Sequence, residues 1–207
     1  MKKLVAIIVC CSFFFTLDAA AAVIKEGDIM FTAQYGFPNL WGTLIKNNYS
    51  DDDFNIDLQV KSIGPIGGQF EFMVTDKIGL GLKVNYSNTN VVYKNDVTNS
   101  NGQITRYNYE LDFPRIRFMP RFGFHFGNSE KFDAYFGVAG GPAQGKLKFI
   151  SNDPNYTGNT SINLLPVAFR LDVGGNYFIN EVVGINFELG IGGGPLMNAG
   201  VVFKIVK

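Results

Sequence analysis

Apolar and polar residues alternate with a period of two along most of the chain, most clearly over residues 182–205. Val183, Ile185, Phe187, Leu189 and Ile191 alternate with Gly184, Asn186, Glu188 and Gly190. After a glycine-proline turn at 192–195, Met197, Ala199, Val201, Phe203 and Ile205 alternate with Asn198, Gly200, Val202 and Lys204. A period of two is that of a β-strand, whose successive side chains point to opposite faces. Two strands with one apolar and one polar face, joined by a short turn, predict a hairpin. The apolar face needs a non-aqueous neighbour, which is a packed core in a sandwich and lipid in a membrane barrel.

The same pattern predicts eight strands: 28–35, a second within 58–74, 78–93, 105–126, 132–150 with an interruption near 140–145, 162–178, and the two arms of the closing hairpin. In the fourth, Tyr107, Tyr109, Leu111 and Phe113 have one parity, and Ile116, Phe118, Pro120, Phe122, Phe124 and Phe126 the other. A β-bulge near Pro114 is therefore expected. Polar connections at 36–55, 95–103 and 151–161 are long, whereas those at 75–77, 127–131 and 180–181 are short. Long connections at one end and short turns at the other are the habit of barrels that cross an outer membrane. The expectation is all-β: an eight-stranded antiparallel up-and-down transmembrane β-barrel, with both chain ends on the side of the short turns.

The first residues change where this barrel is expected to reside. Lys2 and Lys3 precede an apolar run at 4–17, and alanines at 19–22 supply small residues for cleavage. Residues 1–22 are therefore expected to be a cleaved signal peptide, and 23–207 the outer-membrane barrel domain. Cys10 and Cys11 fall inside that signal, preceded by Ile8 and Val9 where a lipoprotein would carry small residues. No disulfide remains for the processed chain, and a closed ring of backbone hydrogen bonds supplies stability in its place. The chain has 18 basic and 18 acidic residues, and removing Lys2, Lys3 and Asp18 leaves 16 against 17. Such a balance gives no basic footprint for nucleic acid.

The closing hairpin and the run Gly-Val-Val-Phe-Lys-Ile at 200–205 resemble the small outer-membrane β-barrel family, porin-like and of the OmpA/OmpX type. The resemblance implies an integral outer-membrane protein, non-enzymatic, acting structurally or through surface interactions of its external loops. A narrow porin or small-solute channel is the second reading it leaves open, and an outer-membrane lipid hydrolase the third. It also implies contact with outer-membrane lipid and lipopolysaccharide, insertion by the barrel-assembly machinery, a monomeric state, an external ligand at the loops, and no metal or cofactor. Chains of this family usually finish on an aromatic residue, whereas here Val206 and Lys207 follow Ile205 and the last aromatic is Phe203.

The inward parity gathers the candidate lumen charges: Glu71, Lys83, Glu110, Asp112, Arg115, Arg117, Arg121, Asp133, Arg170, Asp172, Glu188 and Lys204. An eight-stranded barrel is only wide enough for its own side chains. A balanced set of charges inside it is expected to pair into a plug rather than line a polar path. Inward glycines (Gly79, Gly81, Gly137, Gly174, Gly184) would make room for long arginines. Gly140, Gly145 and Lys146 approach a phosphate-loop spacing, but Leu147 stands where a hydroxyl is needed and no helix follows. Asp51, Asp52, Asp53, Asn55 and Asp57 read as a solvated acidic loop, lacking the glycine and closing glutamate of a calcium loop. His125, the single histidine, lies near Ser129 and Glu130, yet a structural histidine near the barrel mouth is the expectation. Aromatic girdles are expected from Tyr35, Trp41, Tyr86, Tyr93, Tyr107 and Tyr109 at the loop end. At the turn end they come from Phe72, Phe124, Phe126, Phe132, Tyr177, Phe178 and Phe203.

Overall fold

The structure, a computed structural model, describes residues 22–37, 57–98, 101–127, 129–154 and 161–205. These form β1 (Ile29–Phe37), β2 (Asp57–Thr75), β3 (Ile78–Thr98), β4 (Ile104–His125), β5 (Phe132–Ser151), β6 (Ser161–Asn163), β7 (Val167–Phe178), β8 (Val183–Gly192) and β9 (Met197–Ile205). All pairings are antiparallel, and the ring closes where β1 meets β9, from Ile29 opposite Ile205 to Phe37 opposite Met197. Where the staves run side by side through the common height the sheet thus closes on itself, and the ladders satisfy most of its backbone groups without water. Eight staves make up the wall. The short β6 pairs with β5 beyond the end of β7, so β6 and β7 are one stave broken at residues 164–166.

Strand lengths explain the shape. β1 and β9 have 9 residues, β8 10 and β7 12, close to the roughly 9–11 that cross a membrane at a tilt. β2 to β5 have 19, 21, 22 and 20 residues, so one side of the wall projects well past the other at the loop end. Through the common height, outward residues such as Phe31, Phe70, Leu82, Phe122, Leu171 and Leu189 are exposed and apolar. Among the described residues the interior at that height is mostly charged and amide-bearing. The inversion of the soluble pattern is what a hydrocarbon solvent outside the cylinder demands.

Three local expectations are corrected. There is no bulge near Pro114: β3 and β4 keep one register from Ile78 opposite Phe124 to Thr98 opposite Ile104, and β4 and β5 keep one from Tyr109 to His125. Tyr107, Tyr109, Leu111 and Phe113 thus share the inward parity of Arg115 and Arg117, while Glu110 and Asp112 share the outward parity of Phe118 and Phe122. The apolar face changes sides because lipid no longer dictates polarity once the strand rises above the bilayer. The backbone itself does not slip. A bulge does occur in β2, between Ile63 and Ile66, where Pro65 has no amide proton for the ladder. The first part of the expected loop at 95–103 is strand, since β3 runs to Thr98; β4 starts at Ile104, after a turn with Gly102 at φ 74°. Polar residues on both faces of a solvated hairpin carry no alternation, which hid it. The expected interruption of the fifth strand is a lapse in pairing instead: β5 continues, but β4 residues 118–120, which include Pro120, have no ladder partner on it.

Leu82 lies on the outward face midway between the turn at Ile78 and Tyr86. Replacing it with arginine is expected to cost about 2–4 kcal/mol of folding free energy in phospholipid vesicles. Urea titration of the vesicle-embedded barrel checks this, and a loss no larger than that of Leu82→Ala would argue against a lipid-facing position.

Candidate functional site

The lumen is filled by one connected ion-pair network. Glu188 of β8 is its hub. Its carboxylate accepts from Lys83 Nζ of β3 at 2.5 and 2.6 Å, and from Arg170 Nη2 of β7 at 2.9 Å. Tyr135 Oη at 3.2 Å and Asn198 Nδ2 at 2.9 Å donate to it as well. Lys83 also meets Asp172 at 3.3 Å, and Asp172 accepts from Arg121 Nη2 at 3.0 Å. The second arm of Arg121, Nη1, reaches Glu71 Oε1 at 2.7 Å, and its guanidinium lies over the Tyr135 ring. His125 completes the chain, with Nδ1 2.8 Å from Asp133 and Nε2 3.5 Å from Glu71. Every side chain in this set is almost fully buried. Strands on all sides of the ring contribute, so the network ties opposite walls together.

Amides complete the satisfaction of the carboxylates. Gln69 donates to Glu71 at 3.0 Å and Asn176 to Asp133 at 2.9 Å. Asn186 donates to Tyr135 Oη and to Asn176, and accepts from Gln34 at 2.7 Å. Charges in a narrow lumen are stable only when they are paired and hydrogen-bonded. Here each carboxylate is met from several sides, while Arg121 Nε and the Gln34 and Gln69 carbonyl oxygens have no protein partner. Glycines supply the space. A Cβ at Gly137 would stand 2.1 Å from Asp172 Oδ1 and 2.4 Å from Arg121 Nη2, and one at Gly123 would stand 2.1 Å from Glu71 Oε1.

Both ends are capped. At the turn end the segment before β1 folds across the mouth, with Val23 N donating to Ser129 O at 2.9 Å and Gly27 N to Met73 O at 2.8 Å. It brings Ile24 into an apolar cluster with Met30, Met73, Phe178 and Val202. Lys204 donates to the Val23 carbonyl and stands 5.2 Å from the Phe178 ring centre. At the loop end the β8–β9 turn bends inward. Its Pro195 carbonyl accepts from Arg170 Nη1 at 2.9 Å, and its Gly193 carbonyl from Asn85 at 3.4 Å. Gly192, at φ 99°, makes that bend, and a Cβ there would meet Phe169 O at 2.1 Å.

Seven of the twelve charges named from the sequence meet in this network: Glu71, Lys83, Arg121, Asp133, Arg170, Asp172 and Glu188. Lys204 belongs to the turn-end cap instead. Arg115 and Arg117 sit one storey above the network, towards the loops. Glu110 and Asp112 are outside the lumen, on the outward face of the projecting hairpin, where Glu110 accepts from Asn90. Further along that hairpin, Arg106 grips the exposed Asp96 at 2.6 and 2.8 Å, and these bonds hold the Asp96 carboxyl below the usual carboxylate range. His125 is bound to carboxylates, whereas Ser129 Oγ is engaged with the backbone of Phe132 at 3.2 and 3.3 Å. The pair therefore forms no nucleophile and base.

The girdles also need revision. Phe178 is an inward cap residue, and Tyr93 stacks on Tyr109 at 4.7 Å on the inner face. Trp41 and the residues at 51–56 of the acidic stretch lie outside the described residues. The structural partners that alternation did not single out are Gln34, Gln69, Tyr135, Asn176, Asn186 and Asn198. Their inward parity was readable, but neutral side chains carry no charge complementarity to flag them. Among the described residues no cluster of three or more histidine, cysteine or carboxylate side chains could hold a metal ion.

A closed eight-stave barrel with a lipid-type exterior and a charge-filled centre defines the class: a small barrel of the outer-membrane kind. Residues 11–192 match the family described as MltA-interacting protein MipA, and the chain belongs to that family. Among solved structures it is similar to the N-terminal β-barrel domain of Pseudomonas aeruginosa OprF, at 12% identity over 87% of this chain and 99% of that one, with a TM-score of 0.45. It is likewise similar to the outer-membrane protein OprG of Pseudomonas aeruginosa, at 13% identity over 89% of this chain and 98% of that one, with a TM-score of 0.43. Ail, the attachment invasion locus protein of Yersinia pestis, matches at 12% identity over 87% and 99%, with a TM-score of 0.43. No curated protein sequence matches the chain.

Removing the hub should be severe. Glu188→Ala leaves Lys83 and Arg170 facing one another without their shared carboxylate, a loss of about 3–5 kcal/mol. Gly137→Ala, which crowds the Arg121–Asp172 pair, should cost about 1–3 kcal/mol. Urea midpoints of the refolded barrel measure both, and an unchanged midpoint for Glu188→Ala would detach the network from stability.

Proposed function

We propose that this is an integral outer-membrane protein, exported by a cleaved signal at residues 1–22, that acts without catalysis as a structural and protein-interaction element of the envelope. The observation that carries this reading is the triple closure of the lumen. An apolar lid, a paired ion network and an inward-bent turn follow one another along the axis, and each would have to open before a solute could pass. A porin needs the opposite, a continuous wetted path. A lipid hydrolase needs a nucleophile beside its base, and His125 is held between carboxylates instead. With the lumen closed, function falls to surfaces: the projecting β2–β5 wall and loops outside the cell, and the turns and capped mouth facing the periplasm. The family's description, MltA-interacting, supports a protein partner of that kind. Lipid and lipopolysaccharide are then the surroundings of the wall, and the protein works as a monomer inserted by the barrel-assembly machinery.

Planar-bilayer recording on the refolded protein is expected to give no steady current, and a stable open level without applied denaturant would overturn the closed-lumen reading. In detergent extracts the tagged barrel is expected to retain an MltA protein from the same bacterium. Failure of two purified proteins to associate would remove the interaction part of the proposal and leave the structural part.

A further inference from the structure

The stave made of β6 and β7 is broken at residues 164–166, and beside the break the wall holds a cleft of about 680 Å³. Its lining is sorted by height. Tyr86 and Ile116, paired across β3 and β4, form the membrane-side part. They stand in the outward row that runs from Tyr35 through Ile66 and ends on Gln144 of β5. Lys146 and Lys148 are the next two outward residues of β5, and both are exposed. β7 ends opposite Pro142, so these lysines lie just past the top of a stave of membrane-spanning length. That is the layer in which lipid head groups sit.

Asn163 of β6, opposite Lys146, adds an exposed amide to the rim. Arg115 lines the cleft as well, with Nη2 on the carbonyls of Leu165 and Val167 at the break, both at 3.3 Å, and with no partner for its Nε. Among the described residues, three cations and no carboxylate line the cleft, and none of the three is ion-paired. Asp112 stands opposite Lys148 in the ladder, yet it neither pairs with it nor lines the cleft.

A cationic rim above an apolar floor is complementary to a lipid whose head carries phosphate and whose chains descend along the wall. Successive outward residues are about 7 Å apart. Two ammonium groups at that spacing can hold one phosphate between them through hydrogen bonds of about 2.8 Å on either side. A zwitterionic head would bring an ammonium of its own into the same three-cation field. The leaflet on the loop side of an outer membrane is built of lipopolysaccharide, whose lipid A anchor is a phosphorylated disaccharide.

We propose that this cleft is a site for one phosphorylated glycolipid of the outer leaflet. A lipid A phosphate lies between Lys146 and Lys148, the sugar against Gln144 and Asn163, and an acyl chain over Ile116 and Tyr86. The assignment rests on the outer-membrane reading of the preceding section, and it gives the lipid around the wall one fixed position.

Native mass spectrometry of the refolded barrel in a neutral maltoside detergent tests this. The probes are bis-phosphorylated lipid A, the same lipid with both phosphates removed, phosphatidylethanolamine and inorganic phosphate. EDTA is present throughout, so that no metal bridges Asp112 to a phosphate. One saturable lipid A adduct per barrel is expected, with the other three probes binding at least about tenfold more weakly. The double variant Lys146→Gln, Lys148→Gln should lose about tenfold or more in lipid A affinity. Lys77→Gln, at an exposed position of the turn end, should bind as the parent does. Gel mobility with and without heating reports folding, and should the double variant not fold, Lys146→Gln alone should weaken binding severalfold. The proposal is overturned by equal binding of any of the other three probes, by equal lipid A binding in the lysine variants, or by no saturable adduct. Insertion into phospholipid vesicles is measured on the same preparation. A barrel that inserts but takes up no lipid A refutes the site alone, whereas one that stays in water refutes the outer-membrane reading with it.

Discussion

Closure of the sheet into eight staves is the constraint on which everything else rests. A ring of this size hydrogen-bonds its wall to itself around the full circuit, which lets it reside in hydrocarbon, and it leaves an interior only as wide as the side chains that fill it. Those side chains cannot be apolar throughout, because the period of two has already spent the apolar residues on the outside. They must therefore be polar and, lacking bulk water, must satisfy one another. The Glu188 hub, shared by a lysine, an arginine, a tyrosine and an asparagine, is the consequence of that requirement rather than an ornament to it.

The same constraint accounts for the glycines and for the caps. Arginine side chains stretching across the axis need voids on the wall they approach, and Gly123 and Gly137 sit opposite the two arms of Arg121. The apolar cluster at the turn end departs from the polar-interior rule because the segment preceding β1 crosses the mouth there and excludes water on its own account. At the other end the shortest loop-side connection bends inward and offers two carbonyls, one to Arg170 and one to Asn85. Polarity inside the cylinder thus changes with height: apolar at the lid, charged in the middle, cationic above, apolar again on the projecting wall.

That layering matters for function more than any single residue. At mid-height, acids and bases paired across the axis tie opposite walls of the barrel together. Arg115 and Arg117 above that level, bonded to carbonyls of the broken stave and to Ser87, are a different chemical environment on the same strands. The projecting β2–β5 wall carries that environment beyond the bilayer, together with the loops through which an interacting protein would be met.

From the sequence alone, alternation determined the strands, their antiparallel order, the outward face and most of the inward charges, because a period of two is a local property that each strand writes for itself. Seven of the named charges do meet in the lumen. What alternation misread lies where the solvent outside the strand changes. In β4 the apolar face crosses sides above the membrane, so Leu111 and Phe113 are inward, and Glu110 and Asp112 outward, on a backbone that never slips. Only the tertiary structure decided which acid meets which base, that Phe178 and Val202 belong to a lid, and that Arg115 and Arg117 bond to carbonyls and a hydroxyl rather than to a carboxylate among the described residues. Those outcomes depend on residues brought together across the ring from far apart in the chain, and no single strand contains the information.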